Sequence, residues 1–576
     1  MTATVAEVTV DALIAAGVRR VYGVPGDSLN GFTDAIRRHP EITWVHTRHE
    51  EAAAFAAGAE AHLTGALAVC AGSCGPGNLH LINGLFDAHR SREPVLAIAA
   101  HIPRAEIGSG YFQETHPTAL FRDCSEFCEL VSEPEQMPRL LGIAMRTAVA
   151  RRTVAVLVLP GDVALEAATA AAPPARPEPG APRVSPPEAD LARLAAALNA
   201  ASRITILAGA GCAEAHAELL AVADRLKAPI VHTMRGKEYV EPDNPFDVGM
   251  TGLLGFSSGY RAMNACDLLL VLGADFPYRQ FYPDDTPIAQ VDLRGEQIGR
   301  RAHVAIGLVG DVRTTLTALL PSIVPKTDSA HLTTARDHYA TTRAKLDDLA
   351  TGVPGATPIH PEYVARLIDR AAAPDAIFTC DVGTPTVWAA RYLTMNGQRR
   401  LLGSFVHGSM ANALPQAIGA QLACPGRQVI ALSGDGGIAM GLGDLLTLRQ
   451  HAAPVKIVVF NNGALDFVEL EMASAGFLPF GTDLENPDFA AIANASGVLG
   501  IPVRQPEEIG PALARALAHP GPALLDVTVD RRAVAMPPAI TAQVAKGFGL
   551  FALKAVLSGR GSEVIDLAKS SLFRGE

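Results

Sequence analysis

Short apolar, β-branched runs alternate with helical patterns along most of the chain, and proline-rich breaks cut that alternation into blocks. A strand–helix rhythm of this kind folds as a parallel sheet with helices on its faces. The first block carries such runs at 66–71, 95–99 and 154–159; the second at 204–208, 230–233, 268–272 and 288–291; the third at 376–380, 429–433, 455–461 and 523–527. Residues 166–187 are mostly Ala and Pro, with seven prolines between Pro173 and Pro187. Such a run suits neither a helix interior nor a central strand, so it reads as a semi-rigid linker. Thr351-Gly-Val-Pro-Gly-Ala-Thr-Pro358 marks a second break and Val534-Ala-Met-Pro-Pro538 a weaker third. The expected fold class is α/β: three doubly wound parallel-sheet domains, at 1–182, 183–334 and 335–530, plus a C-terminal amphipathic helical tail at 531–576. The first and third blocks both close on a strand followed by a linker, a hint of shared architecture.

Composition excludes several classes. At about 150 residues per domain, 576 residues fit three or four domains. A hydrophobic content of 49% is too high for a disordered chain. The net charge of −11 leaves no basic footprint, so no nucleic-acid partner is expected. The mean hydropathy of +0.20 raises the membrane question, but no uninterrupted apolar run approaches the ~18 residues of a spanning helix. Met1 to Arg20 lacks the basic and apolar regions of a signal peptide. Eight cysteines are sparse, and the pairs Cys70/Cys74 and Cys124/Cys128 match neither zinc-ribbon nor redox spacing. They read as small buried hydrophobes in a reducing cytoplasm.

The strongest local signal is Ser433-Gly-Asp-Gly-Gly437, between an apolar strand and an expected helix at 441–451. The next strand ends in Asn461-Asn462, and Asn462 lies 27 positions after Asp435. Consecutive parallel strands end on the same sheet edge, where ligands bind in such folds. Asp435 and the Asn462 amide oxygen, with a backbone carbonyl nearby, form a hard-oxygen set suited to Mg²⁺ or Ca²⁺. Gly436 and Gly437 let a diphosphate approach the backbone.

This constellation resembles the diphosphate- and Mg²⁺-binding motif of the thiamine diphosphate enzymes. The resemblance implies that the segment Asn462, Gly463, Ala464, Leu465, Asp466, Phe467 and Val468 lines the cofactor. It also implies a glutamate beside the cofactor's aminopyrimidine ring, in a first, pyrimidine-binding domain. Arg48-His-Glu-Glu-Ala-Ala-Ala-Phe-Ala-Ala-Gly58 matches, with Glu50 in that position. Val21-Tyr-Gly-Val-Pro-Gly26 and Gly72-Ser-Cys-Gly-Pro-Gly77 resemble the loops around that ring, although His80 stands where the wider superfamily often has Asn. Met410, in His407-Gly408-Ser409-Met410, resembles the apolar wedge that bends the cofactor. In the family the two signatures meet across a subunit interface, which implies a homo-oligomer, with a tetramer expected.

Gly110-Tyr-Phe-Gln-Glu-Thr-His116 resembles the branch containing the pyruvate-oxidising flavoenzymes and acetolactate synthases, and it places Phe112 and Gln113 at the reacting end together with Phe467. Thr251-Gly252-Leu253-Leu254, Ala274-Asp275-Phe276-Pro277-Tyr278 and Asp292 resemble that branch's FAD-binding segments. Gly209-Ala-Gly211 lacks the full dinucleotide fingerprint, and an ordinary turn fits it equally. Asp466 stands where glycine is expected, which puts a charge beside Phe467.

The tail has an apolar helical face of Phe548, Phe551, Ala552, Ala555 and Val556, with Leu550, Leu553 and Leu557 on the other side. A second amphipathic piece is expected at 563–573. The tail is too short to span a bilayer; an interfacial helix and a packed helix both fit it. By resemblance to the quinone-linked members, the implied activity is oxidation of pyruvate to acetate and CO₂, with electrons passing through FAD to ubiquinone. The tail would then dock on the phospholipid surface at the inner face of the cell membrane. Oxygen-dependent pyruvate oxidase and acetolactate synthase are the nearest rivals; a membrane-recruited binding protein retaining the fold is the non-enzymatic one.

Overall fold

The computed structural model describes residues 3–168, 183–352, 355, 357–531, 533 and 542–557. They contain three six-stranded sheets, and every strand pairing within them is parallel. The first comprises β1 (Arg20–Gly23), β2 (Thr43–His46), β3 (Ala68–Gly72), β4 (Val95–His101), β5 (Phe127–Leu130) and β6 (Val154–Pro160), in the order β2-β1-β3-β4-β6-β5. The second comprises β7 (Ile204–Ala208), β8 (Ile230–His232), β9 (Asp247–Met250), β10 (Leu268–Leu272), β11 (Ile288–Asp292) and β12 (Ile306–Val309), in the order β12-β11-β10-β7-β8-β9. The third comprises β13 (Ile377–Cys380), β14 (Arg400–Gly403), β15 (Val429–Gly434), β16 (Lys456–Asn461), β17 (Leu499–Val503) and β18 (Ala523–Thr528), in the order β14-β13-β15-β16-β18-β17.

The first and third sheets therefore share one topology and the middle sheet has another. In each, the chain leaves the first strand in one direction and later returns to its other side. That makes a crevice between β1 and β3, between β7 and β10, and between β13 and β15.

Each sheet is covered on both faces. Along β3 and β4, Val69, Ala71, Leu96 and Ile98 enter one apolar cluster, while Ala68, Cys70, Val95 and Ala97 enter the other. Burial on both faces explains why these strands read as unbroken apolar runs. Alanine serves a second purpose between domains. Helix Glu50–Thr64 packs against helix Ala413–Ala423, and a Cβ on Gly419 would fall 2.1 Å from the Ala56 carbonyl oxygen. Within the first domain, helix Pro76–Ser91 also crosses helix Glu50–Thr64 closely: a Cβ on Gly84 would fall 2.6 Å from that of Ala54.

One local expectation needs correcting. The helical turns after Ser433-Gly-Asp-Gly-Gly437 begin at Asp435 itself, as Asp435–Met440. The region expected to be one helix at 441–451 is a short 3-10 turn, Leu442–Asp444, and a helix, Leu445–Gln450. Gly441 and Gly443 lower helix propensity at the joint. Cys70 lies on β3 and Cys74 in the loop after it. All eight cysteines are free; six are buried and two are half-buried.

Among the described residues, no helix is long and apolar enough to cross a membrane. The tail forms helix Ala542–Leu557. It seats Phe551 and Ala555 inward, and Gly547 lies against the end of helix Asp466–Ser474. Lys554 Nζ donates to the Gly476 carbonyl at 2.7 Å and sits over the Phe477 ring. Leu550, Leu553 and Leu557 face outward. The second amphipathic piece at 563–573, most of the 166–187 linker and the break at 534–538 lie outside the described residues.

Candidate active site

At the β1/β3 crevice, Gly26 lies against Ser73 and Gly77 against both Ser73 and Glu50. Glu50 is the first residue of its helix, because His49 caps it: His49 Nδ1 accepts from the Glu51 N–H at 3.2 Å. That cap turns the Glu50 carboxyl into the crevice. It is buried, with Oε1 3.0 Å from where a Gly77 Cβ would lie and Oε2 2.9 Å from His80 Nδ1. The His80 ring stacks on His49 with centroids 4.2 Å apart.

The loop carrying Phe112 and Gln113 closes on the same crevice. Gln113 has φ +61°, a left-handed conformation uncommon for a non-glycine residue. Its backbone crowds Gly75, and Cys74 Sγ lies 3.3 Å from Gln113 Oε1. Glu114 fixes the loop by accepting from the backbone N–H groups of Gly108, Gly110 and Tyr111. Gln113 thus joins Glu50 and Gly26 at the crevice, whereas the Phe112 side chain is 77% exposed.

At the β13/β15 crevice, Asp435 is buried. Its Oδ1 accepts from the Gly436 N–H at 2.8 Å; Oδ2 accepts from Asn462 N at 3.1 Å, Gly463 N at 2.7 Å and Asn486 Nδ2 at 2.8 Å. Burial pushes its pKa up, and those donors oppose the rise. Asn462 Oδ1 accepts from Ala464 N at 3.0 Å, and its Nδ2 lies 3.4 Å from Asp466 Oδ2. Gly463, Ala464 and Leu465 are held by a facing segment: Leu484 N donates to Gly463 O, Ala464 bridges Asp483, and Leu465 N donates to Thr482 O. Met410 and Leu465 both lie over Gly436. Gly437 abuts Asp381, whose Oδ2 is buried without a hydrogen-bond partner; burial raises that carboxyl to about 6. Asp466 opens helix Asp466–Ser474. Burial, with Glu469, Asp530 and Asp435 nearby, raises it to about 8. Phe467 packs on the third domain's core, and Val468 is partly exposed. Gly408 and Ser409 precede Met410 in a loop that touches helix Pro76–Ser91.

At the β7/β10 crevice the chain comes into backbone contact. A Cβ on Gly209 would fall 2.3 Å from the Gly273 carbonyl oxygen, and one on Gly211 2.6 Å from Gly273 Cα. Ala274 to Tyr278 follow directly, and Thr251 to Leu254 reach them through Gly252, which lies against Phe276. Thr251 Oγ1 is buried without a partner. Asp292 is buried at the end of β11, its pKa raised by burial and its Oδ1 accepting from Arg294 N at 2.9 Å. Asp275 pairs with Arg301 at 2.7 Å.

Three domains of one enzyme family match along the chain. Residues 3–120 match the thiamine pyrophosphate enzyme N-terminal TPP binding domain, 191–319 the central domain and 381–527 the C-terminal TPP binding domain. The chain belongs to the thiamine pyrophosphate enzyme family. It is 61% identical over 372 residues to an uncharacterized 42.6 kDa protein of Pseudomonas amyloderamosa, covering 63% of this chain and 93% of that one. It is 39% identical to a putative thiamine pyrophosphate-containing protein, YdaP, of Bacillus subtilis, over 96% of each chain. It is 30% identical to pyruvate oxidase of Lactiplantibacillus plantarum, over 91% of this chain and 88% of that one.

The residues present suit the family's cofactor. The third crevice offers a carboxylate, an amide oxygen and carbonyls around glycines that leave room for a diphosphate, a donor set for Mg²⁺. The unpartnered Asp381 Oδ2 and Ser433 Oγ lie at that crevice. Sequence reasoning missed Asp381 and Asn486. Asp381 follows β13 directly, so a search for polar residues at strand ends would have found it. Asn486 comes from an irregular segment with no local signal.

Proposed function

We propose that this thiamine diphosphate enzyme is a pyruvate dehydrogenase (quinone), which oxidises pyruvate to acetate and CO₂ and passes the electrons through FAD to ubiquinone. The observation that carries the flavin part is the middle crevice. Gly209, Gly211 and Gly273 meet at a dinucleotide-type switch point, and a buried strand-end carboxylate, Asp292, is of the type that bonds a ribose hydroxyl. The likeness to a pyruvate oxidase supports pyruvate as the substrate.

When bound, thiamine diphosphate supplies the electron sink for decarboxylation and FAD the two-electron acceptor. Glu50 would hold the proton at the aminopyrimidine ring nitrogen, in a pocket where glycines allow the ring to approach. Asp435, Asn462 and the Ala464 carbonyl would hold Mg²⁺ on the diphosphate. Met410 and Leu465, both over Gly436, would bend the cofactor. Phe112, Gln113 and Phe467 would orient pyruvate and limit water. Thr251 to Leu254 and Ala274 to Tyr278 would cradle the flavin. A homo-tetramer, assembled as the family resemblance implies, completes this reading.

For the membrane part, the support is the tail. Leu550, Leu553 and Leu557 point outward from the tail helix. An apolar helix face of this kind suits docking in a lipid interface, and the net charge of −11 leaves that docking to apolar contact. The deciding experiment mixes enzyme, pyruvate, thiamine diphosphate and Mg²⁺ without oxygen. Bound flavin should bleach and then recover on adding quinone. A flavin that stays oxidised defeats the proposal. Oxygen uptake with acetyl phosphate, or acetolactate formation, reassigns the activity. Truncation after Val544 should spare a soluble acceptor and lower quinone reduction in vesicles; unchanged quinone reduction removes the membrane role.

A further inference from the structure

The loop from Ser404 to Met410 leaves the end of β14, an edge strand paired only with β13. A loop leaving an edge strand has sheet support on one side only. Here helix Pro76–Ser91 of the first domain supplies the rest, through residues spaced one turn apart on one face. Asp87 is buried, and its Oδ1 accepts from Ser404 Oγ at 2.7 Å while its Oδ2 accepts from Gln416 Nε2 at 3.1 Å. So anchored, Ser404 Oγ accepts from the backbone N–H groups of Gly408, at 3.1 Å, and Ser409, at 3.0 Å. That bond closes the turn in which Gly408 adopts φ +82°, a value glycine tolerates and most residues do not. Four residues earlier on the helix, Asn83 uses its whole amide. Its Oδ1 lies 2.8 Å from His407 Nε2, and its Nδ2 donates to Ser409 Oγ at 2.9 Å and to Glu51 Oε1 at 2.7 Å. The Phe86 ring stacks on His407 at 5.5 Å.

We infer that Asp87, acting through Ser404, and Asn83 are positioning residues: they set the conformation of the Gly408–Met410 turn from the first domain, before any cofactor arrives. Asn83 also fixes Glu51, the neighbour of Glu50, so one amide ties the turn under Met410 to the helix that presents the acid. The inference rests on reading Gly408, Ser409 and Met410 as part of the thiamine diphosphate site. A preformed turn meets the cofactor without a further ordering cost, so its loss appears in affinity.

The test uses the full-length apoprotein and isothermal titration with thiamine diphosphate in excess MgCl₂, beside thermal melting of the same samples. Ser404→Ala and Asn83→Ala should each raise the Kd roughly tenfold, the size of one lost buried hydrogen bond. Asp87→Ala should do the same, and Asp87→Asn, which keeps an acceptor for Ser404, should restore most of the affinity. A purely structural role would lower the melting temperature and leave Kd unchanged, and that pattern in both Ser404→Ala and Asn83→Ala overturns the inference. Met410→Ala separates the two levels. If it weakens binding while Ser404→Ala and Asn83→Ala do not, only the positioning role fails. If all three leave Kd unchanged, the cofactor-loop reading fails and the inference with it.

Discussion

In the first sheet the β1/β3 crevice holds Glu50, a carboxylic acid paired with a half-exposed imidazole, His80. In the third sheet, of identical strand order, the β13/β15 crevice holds Asp435, whose carboxylate takes three backbone N–H groups and the Asn486 amide. The first arrangement sets a carboxyl against an imidazole at 2.9 Å. The second fixes an anion in place, with its oxygens aimed by the backbone. One topology thus carries two differently held carboxyls, and on the proposed reading one handles a proton while the other holds a cation.

Substitutions that abolish each role should separate the two sites, and the largest effect belongs to the acid. Glu50→Gln should slow hydrogen–deuterium exchange at the cofactor's C2 by about 10²- to 10⁴-fold, read by NMR, while thiamine diphosphate still binds. Exchange at the normal rate would remove Glu50 from that role. Asp435→Asn should do the reverse, weakening Mg²⁺-dependent cofactor binding by roughly 100-fold in calorimetry. An unchanged affinity would break the contrast between the crevices.

Packing between the two domains comes next. Gly419→Ala drives a methyl into the Ala56 carbonyl and should cost about 1–3 kcal/mol, seen as a lower urea midpoint. Gly510→Ala, in helix Pro506–Ala518 with no neighbour within 4 Å, serves as the control and should be neutral or stabilising by about 0.4–1 kcal/mol.

The last effect is one of pH. His62 of the first domain lies 3.0 Å from Glu93 and 3.0 Å from Glu238 of the middle domain, and Glu238 also takes Arg400 of the third. Burial works against the His62 proton, but the two carboxylates outweigh it and lift the imidazole to about 9. A raised folded-state pKa contributes stability that is full below the unfolded value of about 6.5 and is lost as pH rises through about 9. The stability gap between wild type and His62→Gln should therefore narrow from pH 6.5 to 9. A gap independent of pH would mean that the ring is held by packing alone.

The sequence pattern marked the strands that are buried on both faces, such as β4, β10 and β15, because such strands must be apolar throughout. It did not mark β2, β5, β9, β12, β14 and β17, each at a sheet edge, or the four-residue β1. Edge strands here are short and mostly part-exposed, so little in their composition separates them from loops. The shared end-of-block pattern hinted at kinship between the outer domains, but strand order is a tertiary fact. The places of Glu50, Asp435 and Asn462 at element ends were legible because motif and strand patterns flank them. Asn83 and Asp87 were not, since a polar residue on a helix looks the same whether it faces water or grips another domain.

The alanine and glycine seam has a consequence for how the molecule opens. Where Gly419 meets Ala56, two helices touch backbone to backbone, with no long side chains between them to shift and absorb a displacement. A contact of that kind has no half-open form: the domains are either in register or apart. The amides of Glu50–Thr64 and Ala413–Ala423 belong to one cooperative unit and should exchange with deuterium at a common rate, set by separation of the two domains rather than by fraying of either helix.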